Sequence, residues 1–244
     1  MKRLEMFTNK GAYKTDHKFY LVFLIISLLF VMIVGFAPLD PKWFSILTGV
    51  CCGATASIII AWIIDVNNCI KRNQLNQIVL DQLLEWFDIG VLNEMNTILC
   101  EVASRNMAFD IDRSYSIDEI IEMVRKDDGN LPIWKTHCDN LGTAFSSIDI
   151  SRLVSYDPTE QHLKLYRELQ QSQSTHATYS YITSMAIVTP QDLGSGSFEY
   201  SIVVSDLESI ERINRIRDKQ VRYEINKYYK SEINRKREED RKEK

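Results

Sequence analysis

The sequence predicts a mostly α-helical protein, in which a transmembrane hairpin of two helices is followed by a cytoplasmic helical bundle with a long C-terminal helix. Two observations predict this fold. Two long apolar runs without a charge precede Asp65, and apolar residues after Asp65 recur mainly at steps of three and four. The mean hydropathy of the 244 residues is only −0.18, which is unlike a protein that crosses the membrane many times. The long apolar runs all lie before Asp65.

The first apolar run is Phe19–Ala37, FYLVFLIISLLFVMIVGFA. At ~1.5 Å per residue it is nearly 30 Å long as a helix, about the thickness of a hydrocarbon core. A cleaved signal peptide is the alternative, because Gly35-Phe36-Ala37 resembles a cleavage site. Signal cores have only about 7–15 apolar residues, and a second apolar run follows at once. We therefore predict an uncleaved membrane span.

The second run, Trp43–Ile64, follows the connector Pro38–Lys42, PLDPK. Proline ends one helix and suits the first turn of the next, and so short a connector joins only neighbouring helices. The two spans therefore form an antiparallel hairpin. Basic residues precede the first span, and Lys71 and Arg72 follow the second, so the positive-inside rule places both termini in the cytoplasm.

Small residues recur at every fourth position of the second span. They are Ser45, Gly49, Gly53, Ser57 and Ala61, which we call the small-residue stripe. Residues four apart share a helix face, and the Gly49–Gly53 spacing lets two membrane helices approach closely. The stripe has three interpretations: packing against the first span, packing between chains in a homo-oligomer, or part of a pore.

A pore would have a mildly polar lining and a polar mouth. The lining residues would be Thr48, Cys52, Thr55 and Ser57. Asp65, Asn67 and Asn68 would form a ring at the cytoplasmic mouth, and a plain hydrated helix end is the alternative for them. Two spans of one chain cannot enclose a water-filled path, so a pore requires an oligomer. The absence of charge inside the spans disfavours a proton relay or a charged filter.

The chain divides into four predicted regions: a basic cytoplasmic N-terminus (1–18), the hairpin (19–64, with spans 19–37 and 43–64), a mainly helical cytoplasmic domain (65–204) and a long charged C-terminal helix (205–244). The net charge is +3 over residues 1–64, −10 over 65–204 and +3 over 205–244. The acidic middle region disfavours nucleic acid as a partner.

Local signals place the helices of the cytoplasmic part. Gly90 is predicted to separate two amphipathic helices, and Ser116-Ile-Asp-Glu119 fits a capping box. Pro132 suits the first turn of a further helix, and Asp157-Pro158-Thr159-Glu160 begins another. Residues 178–204 fit either a small β-hairpin or two antiparallel helices, and the helical surroundings favour helices.

The C-terminal region is predicted to be one long helix from Asp206 to about Arg237. Its apolar residues form a drifting stripe between charges: Leu207, Ile210, Ile213, Ile216, Val221, Ile225, Tyr229 and Ile233. A narrow stripe of this kind is typical of a helix that packs in a bundle or against a partner helix.

No catalytic or metal-binding constellation is apparent. His137 and Cys138 are adjacent and so point in different directions on a helix, and no second His/Cys pair has ligand spacing. The loop around Ser195 is not a nucleophile elbow, and no phosphate-binding GK[ST] motif occurs. The five cysteines include no CxxC pair, which indicates reduced intracellular thiols. We therefore predict a protein that is not an enzyme and uses no cofactor or metal.

The plan of Phe19–Ala37, PLDPK and Trp43–Ile64, followed by a large region without enzyme motifs, resembles the two-transmembrane effectors of bacterial anti-phage systems, including those tied to nucleotide signalling or retrons. The resemblance is one of architecture and covers about a quarter of the chain. It implies an inner-membrane protein whose cytoplasmic part responds to a cytosolic protein or a nucleotide signal, and whose spans then permeabilise the bilayer.

Two functions follow as hypotheses. The first is an oligomeric membrane effector of this kind. The second is a non-catalytic scaffold or regulatory subunit, tethered to the membrane, whose long C-terminal helix holds a cytosolic partner.

Overall fold

A computed structural model describes residues 13–38, 40–106, 109–129, 131–155, 158–184 and 197–242. These residues form eight α-helices and one 3₁₀ turn, Ile150–Leu153. The helices are α1 His17–Phe36, α2 Pro41–Leu83, α3 Glu85–Arg105, α4 Ile117–Arg125, α5 Ile133–Ser146, α6 Glu160–Ser184, α7 Ser197–Ile216 and α8 Lys227–Lys242. No strand occurs in the described residues, and the predicted mostly-α class is confirmed. The chain separates into two compact units, Met1–Val79 and Leu80–Lys244.

The first unit contains α1 and most of α2. Asp16 caps α1, because its side chain accepts a hydrogen bond of 3.1 Å from the Phe19 N–H. Within the connector, of which Leu39 lies outside the described residues, the Lys42 N–H donates to the Asp40 carboxylate at 2.9 Å. Both helices are long and apolar enough to cross a membrane. They contain the predicted spans except for Ala37, which follows α1 directly.

The predicted break at Gly90 is wrong. α3 runs through Gly90, and the interruption lies at Leu84, a fully buried residue between α2 and α3. Gly90 has another role, because a Cβ at this position would lie 2.8 Å from the Cβ of Ala144. The backbones of α3 and α5 therefore approach more closely than any larger residue allows.

The core of the second unit is built around α5 and α7. α5 packs against α3, α6 and α7, and α7 also packs against α4 and α6. The largest fully buried apolar side chains include Phe87, Met95, Ile120, Trp134, Phe145 and Leu153. Burial of side chains of this size contributes about 1.5–3 kcal/mol each to folding.

Two of the predicted helix starts are reproduced in the structure. Ser116 and Glu119 form the predicted capping box: the serine side chain accepts from the Glu119 N–H, and the glutamate accepts from the Ser116 N–H. α5 begins directly after Pro132.

The predicted helix start with Pro158 at the first position is wrong: α6 begins at Glu160, and the Thr159 hydroxyl accepts a hydrogen bond of 3.3 Å from the His162 N–H. Asp157 lies outside the described residues.

The ambiguous stretch 178–204 is helical at both described ends. Residues 178–184 belong to α6 and residues 197–204 to α7, while residues 185–196 lie outside the described part. The helical alternative is therefore the correct one for the positions described.

The single long helix predicted from Asp206 to Arg237 is wrong. α7 ends at Ile216, and Asp218 takes a left-handed conformation with φ 53°. The Lys219 N–H then bonds the Asn214 carbonyl at 2.9 Å, and the Asp218 N–H bonds the Arg215 carbonyl at 3.1 Å. This is the Schellman pattern that closes a helix, built here on aspartate rather than glycine.

An extended linker joins α7 to α8. At its centre the backbones of Tyr223 and Tyr115 form an isolated antiparallel bridge, with N–H···O distances of 2.7 and 2.8 Å. Tyr223 and Ile225 are 2% and 1% exposed, whereas Arg222, Glu224 and Asn226 are exposed. Buried and exposed side chains therefore alternate along the linker, as expected for an extended chain that packs one face against the core.

Candidate functional site

One side of α2 faces α1. The hydroxyl oxygens of Ser27 and Thr55 lie 2.6 Å apart, and Trp62 Nε1 donates to His17 Nδ1 at 3.0 Å. Farther along α2, Asn73 exchanges two hydrogen bonds with the backbone of Tyr13, at 2.9 and 2.8 Å. At ~100° per residue, the three contacting positions on α2 fall within about 20° of one another.

The small-residue stripe lies on the opposite side of α2. Gly53 is about 180° from Trp62 around the helix axis. A Cβ added at Gly49 or Gly53 would meet nothing within 4 Å, and Ser45, Ser57 and Ala61 are exposed within the chain. Among the three interpretations of the stripe, packing against the first span of the same chain is therefore wrong for the described residues.

The predicted pore-lining residues do not share one face. Thr55 is engaged with Ser27 and also donates to the Cys51 carbonyl at 2.9 Å. Ser57 lies on the stripe side and donates to the Gly53 carbonyl at 2.8 Å. Cys52 is exposed and Thr48 is half-buried. Only part of this set can therefore face a common axis in an assembly.

The predicted mouth residues all lie within the continuous helix α2. Asn67 and Asn68 are exposed and fall within about 60° of Gly53 around the helix axis. Asp65 is half-buried and lies about 120° from Gly53, toward the side that faces α1. A ring on the stripe side would therefore consist of the two asparagine amides rather than the aspartate.

The second unit contains buried polar pairs that the sequence analysis did not find. His137 Nδ1 forms a hydrogen bond with the Glu94 carboxylate, which also accepts one from Asn140 Nδ2 at 2.7 Å. His176 Nε2 lies 2.8 Å from Asp206 Oδ2. In the sequence His137 stands out only because Cys138 follows it, and its partner Glu94 lies 43 positions earlier in the chain.

A third polar pair joins α6 to α7. The hydroxyl of Tyr179 donates to Glu199 Oε1 at 3.1 Å, and the second oxygen of this buried glutamate has no hydrogen-bond partner among the described residues. Desolvation raises the pKa of the Tyr179 hydroxyl, and the nearby Glu199 carboxylate raises it further. Tyr179 therefore remains protonated at neutral pH and is a donor to the glutamate.

These buried groups do not form a metal centre or a reactive thiol site. The described residues contain no group of three or more His, Cys, Asp or Glu side chains that could hold a metal ion. Burial raises the pKa of the Cys138 thiol to about 12, and the nearby carboxylates of Asp206, Asp139 and Glu199 contribute to the rise. A thiol with so high a pKa is a poor nucleophile at neutral pH. The pairs are best explained as polar groups of the core that bond one another, with Glu199 Oε2 and His137 Nε2 left without a hydrogen-bond partner among the described residues.

A buried arginine explains the interruption after α7. The side chain of Arg217 is fully buried and bonds Asp81 at 2.5 Å and Asp88 at 2.8 and 3.0 Å, and Lys219 adds a bond of 2.6 Å to Asp88. A continuing helix would carry Lys219 two residues, or about 200°, around the axis from Arg217. The turn instead brings both cations to Asp88.

Comparisons of the chain with protein-family models, with curated protein sequences and with solved structures give no match.

Proposed function

We propose that the chain is an integral membrane effector that oligomerises through the small-residue stripe and permeabilises the bacterial inner membrane on a cytoplasmic signal, in the manner of anti-phage effectors. Two helices that can cross a membrane support the location. The charge pattern supports a topology with both termini in the cytoplasm.

The observation that carries the proposal is the open face of α2. Lipid tails are as apolar as the helices, so helix association in a membrane depends on close packing and hydrogen bonds. Gly49 and Gly53 offer such packing, and a Cβ at either position would meet no atom of the described residues within 4 Å. A second copy presents the same stripe, and self-complementary surfaces of this kind form symmetric oligomers.

The part of α2 that follows the apolar run offers further contact on the same side. Leu75, Ile78 and Val79 are 63%, 53% and 55% exposed and lie within about 80° of Gly53 around the helix axis. Exposed apolar side chains in one row on a helix are typical of an interaction surface. They extend the proposed interface beyond the membrane.

The continuity of α2 supports a route from signal to membrane. The helix has no interruption between Pro41 and Leu83, so a movement of the segment after Asp65 would tilt or rotate the span with it. Because both spans are uncharged, we propose a gate that opens by separation of apolar side chains rather than a charged filter.

The test is a leak assay in bacteria that express the full chain. We expect membrane depolarisation and uptake of a small dye under triggering conditions, and loss of both in Gly53→Leu. Gly35→Leu is the matched control, because Gly35 also lies in open space but on α1. Intact membrane potential under every condition would overturn the proposal and favour the tethered scaffold. The scaffold hypothesis was based on one long C-terminal helix, and that helix is interrupted at Asp218.

A further inference from the structure

A polar cleft lies in the second unit where the expected C-terminal helix is interrupted. It has a volume of about 610 Å³, within the range of small-molecule sites. Its walls come from α3, the loop before α4, the linker and the start of α8. The lining residues include Leu92, Asp112, Arg222, Glu224, Lys227 and Lys230.

The cleft exists because of the Schellman turn and the Tyr115–Tyr223 bridge. The bridge holds residues 222–226 in an extended conformation, in which alternate side chains face opposite sides. Tyr223 and Ile225 are buried, so Arg222, Glu224 and Asn226 are directed outward together. α8 then begins at Lys227, which places Lys227 and Lys230 one turn apart on the same helix face.

Cations in this cleft are only partly neutralised. Lys230 lies 3.5 Å from Asp112, and Arg222 contacts the Ser114 carbonyl at 3.4 Å. Neither Arg222 nor Lys227 has a carboxylate within 4 Å in the part of the chain that the structure describes. This cationic wall is unusual in a unit whose residues 80–204 are strongly acidic.

We propose that this cleft binds a phosphorylated polyhydroxy compound, a sugar phosphate or a nucleotide. Arg222, Lys227 and Lys230 would hold the phosphate, since arginine and lysine are the residues that bind phosphate most strongly. Asp112 and Glu224 accept hydrogen bonds only, so they suit the hydroxyl groups of the sugar. Leu92, 45% exposed, supplies an apolar wall.

The mixed lining separates this ligand class from the alternatives. A bare phosphate is much smaller than the cleft and gains nothing from the two carboxylates. An anionic membrane surface or a nucleic acid backbone would meet the same carboxylates unfavourably. The proposal goes beyond the membrane role and stands whether or not the chain permeabilises a bilayer.

The test is calorimetric titration of the full chain in phosphatidylcholine nanodiscs with ribose 5-phosphate, inorganic phosphate and ribose. We expect saturable binding of ribose 5-phosphate with a Kd on the order of 1 mM or tighter, and clearly weaker binding of the other two. Arg222→Ala with Lys227→Ala should lower the affinity for ribose 5-phosphate by about tenfold or more, because two charge-assisted contacts are lost.

Two further variants test whether binding depends on the residues of the cleft. Asp112→Asn should lower the preference for ribose 5-phosphate over inorganic phosphate, because Lys230 is freed for either phosphate group whereas only the sugar loses a carboxylate acceptor. Lys164→Ala is the control, since Lys164 lies on α6 and its salt bridge among the described residues is with the exposed Glu160. Absence of saturable ribose 5-phosphate binding, equal binding in the double variant, or equal affinity for inorganic phosphate would each overturn the proposal.

Discussion

The hydroxyl groups of Ser27 and Thr55 form a hydrogen bond of 2.6 Å between α1 and α2. Thr55 donates its one proton to the Cys51 carbonyl, so Ser27 is the donor and Thr55 the acceptor. Both hydroxyls are thereby satisfied inside apolar segments, where an unpaired polar group is costly. The bond turns one side of α2 toward α1 and leaves the glycine side open.

We expect Gly53→Leu to reduce the oligomeric state of the full chain in detergent without loss of helix content. The leucine meets open space within the chain, so it disturbs only a contact with another copy. Light scattering coupled to size-exclusion chromatography measures the mass, and circular dichroism the helix content. Gly35→Leu should leave the mass unchanged. An unchanged mass for Gly53→Leu would contradict an interface at the stripe.

Gly90→Ala should destabilise the second unit, although alanine is the better helix former by about 1 kcal/mol. The added Cβ would lie 2.8 Å from the Cβ of Ala144, so α3 and α5 must separate. Urea unfolding monitored by tryptophan fluorescence measures the loss, since Trp134 in α5 is fully buried. Ala144→Gly in the same chain should restore much of the stability. A stabilising effect of Gly90→Ala alone would exclude the close helix contact.

We expect Asp88→Asn to lower the free energy of unfolding at pH 7 by about 2 kcal/mol. Burial by itself would raise the pKa of Asp88, but hydrogen bonds and charge from Arg217 and Lys219 lower it below its ordinary value of 3.8. Because the folded pKa is the lower one, the stabilisation is present above pH 3.8 and is lost as the pH falls through the folded pKa. The deficit of Asp88→Asn should therefore shrink in acid. A deficit independent of pH would contradict the ionic role of Asp88.

Asp206→Asn should behave in the opposite way at pH 7. Burial raises the pKa of Asp206, and the hydrogen bond and charge of His176 offset this only in part. A raised folded pKa means that stability falls as the pH rises from 3.8 to the folded pKa. An asparagine keeps an acceptor for His176 Nε2 and removes the buried charge, so stability at pH 7 should equal or exceed that of wild type. The difference should vanish in acid. Strong destabilisation at pH 7 would indicate that Asp206 and His176 form a charged pair that the fold requires.

Local signals were sufficient for most of the helices. The capping box at Ser116 and Glu119 and the helix after Pro132 depend on residues a few positions apart, which a sequence displays directly. Glycine at position 90 looked like a helix breaker for the same local reason. Its actual role depends on Ala144, a residue on another helix, and so lay beyond a local interpretation.

In the candidate sites, too, some features follow from neighbouring residues and others from contacts between distant positions. The small-residue stripe was visible from its spacing, but the side of α2 that faces α1 depends on the Ser27–Thr55 contact across 28 positions. The buried pairs of His137 with Glu94 and of His176 with Asp206 join residues 43 and 30 positions apart. Nothing in the sequence near either histidine identifies its partner.

The sequence by itself determined that the chain is helical, that its first two helices are apolar enough for a membrane, and that α2 carries a small residue at every fourth position from Ser45 to Ala61. Tertiary structure alone decided that the stripe is open and that the predicted C-terminal helix is interrupted after Ile216. The physical reason is distance along the chain: Arg217 is held by Asp81 and Asp88, 136 and 129 positions earlier. The sequence shows the spacing of the small-residue stripe, and the structure shows that α1 packs on the other side of α2.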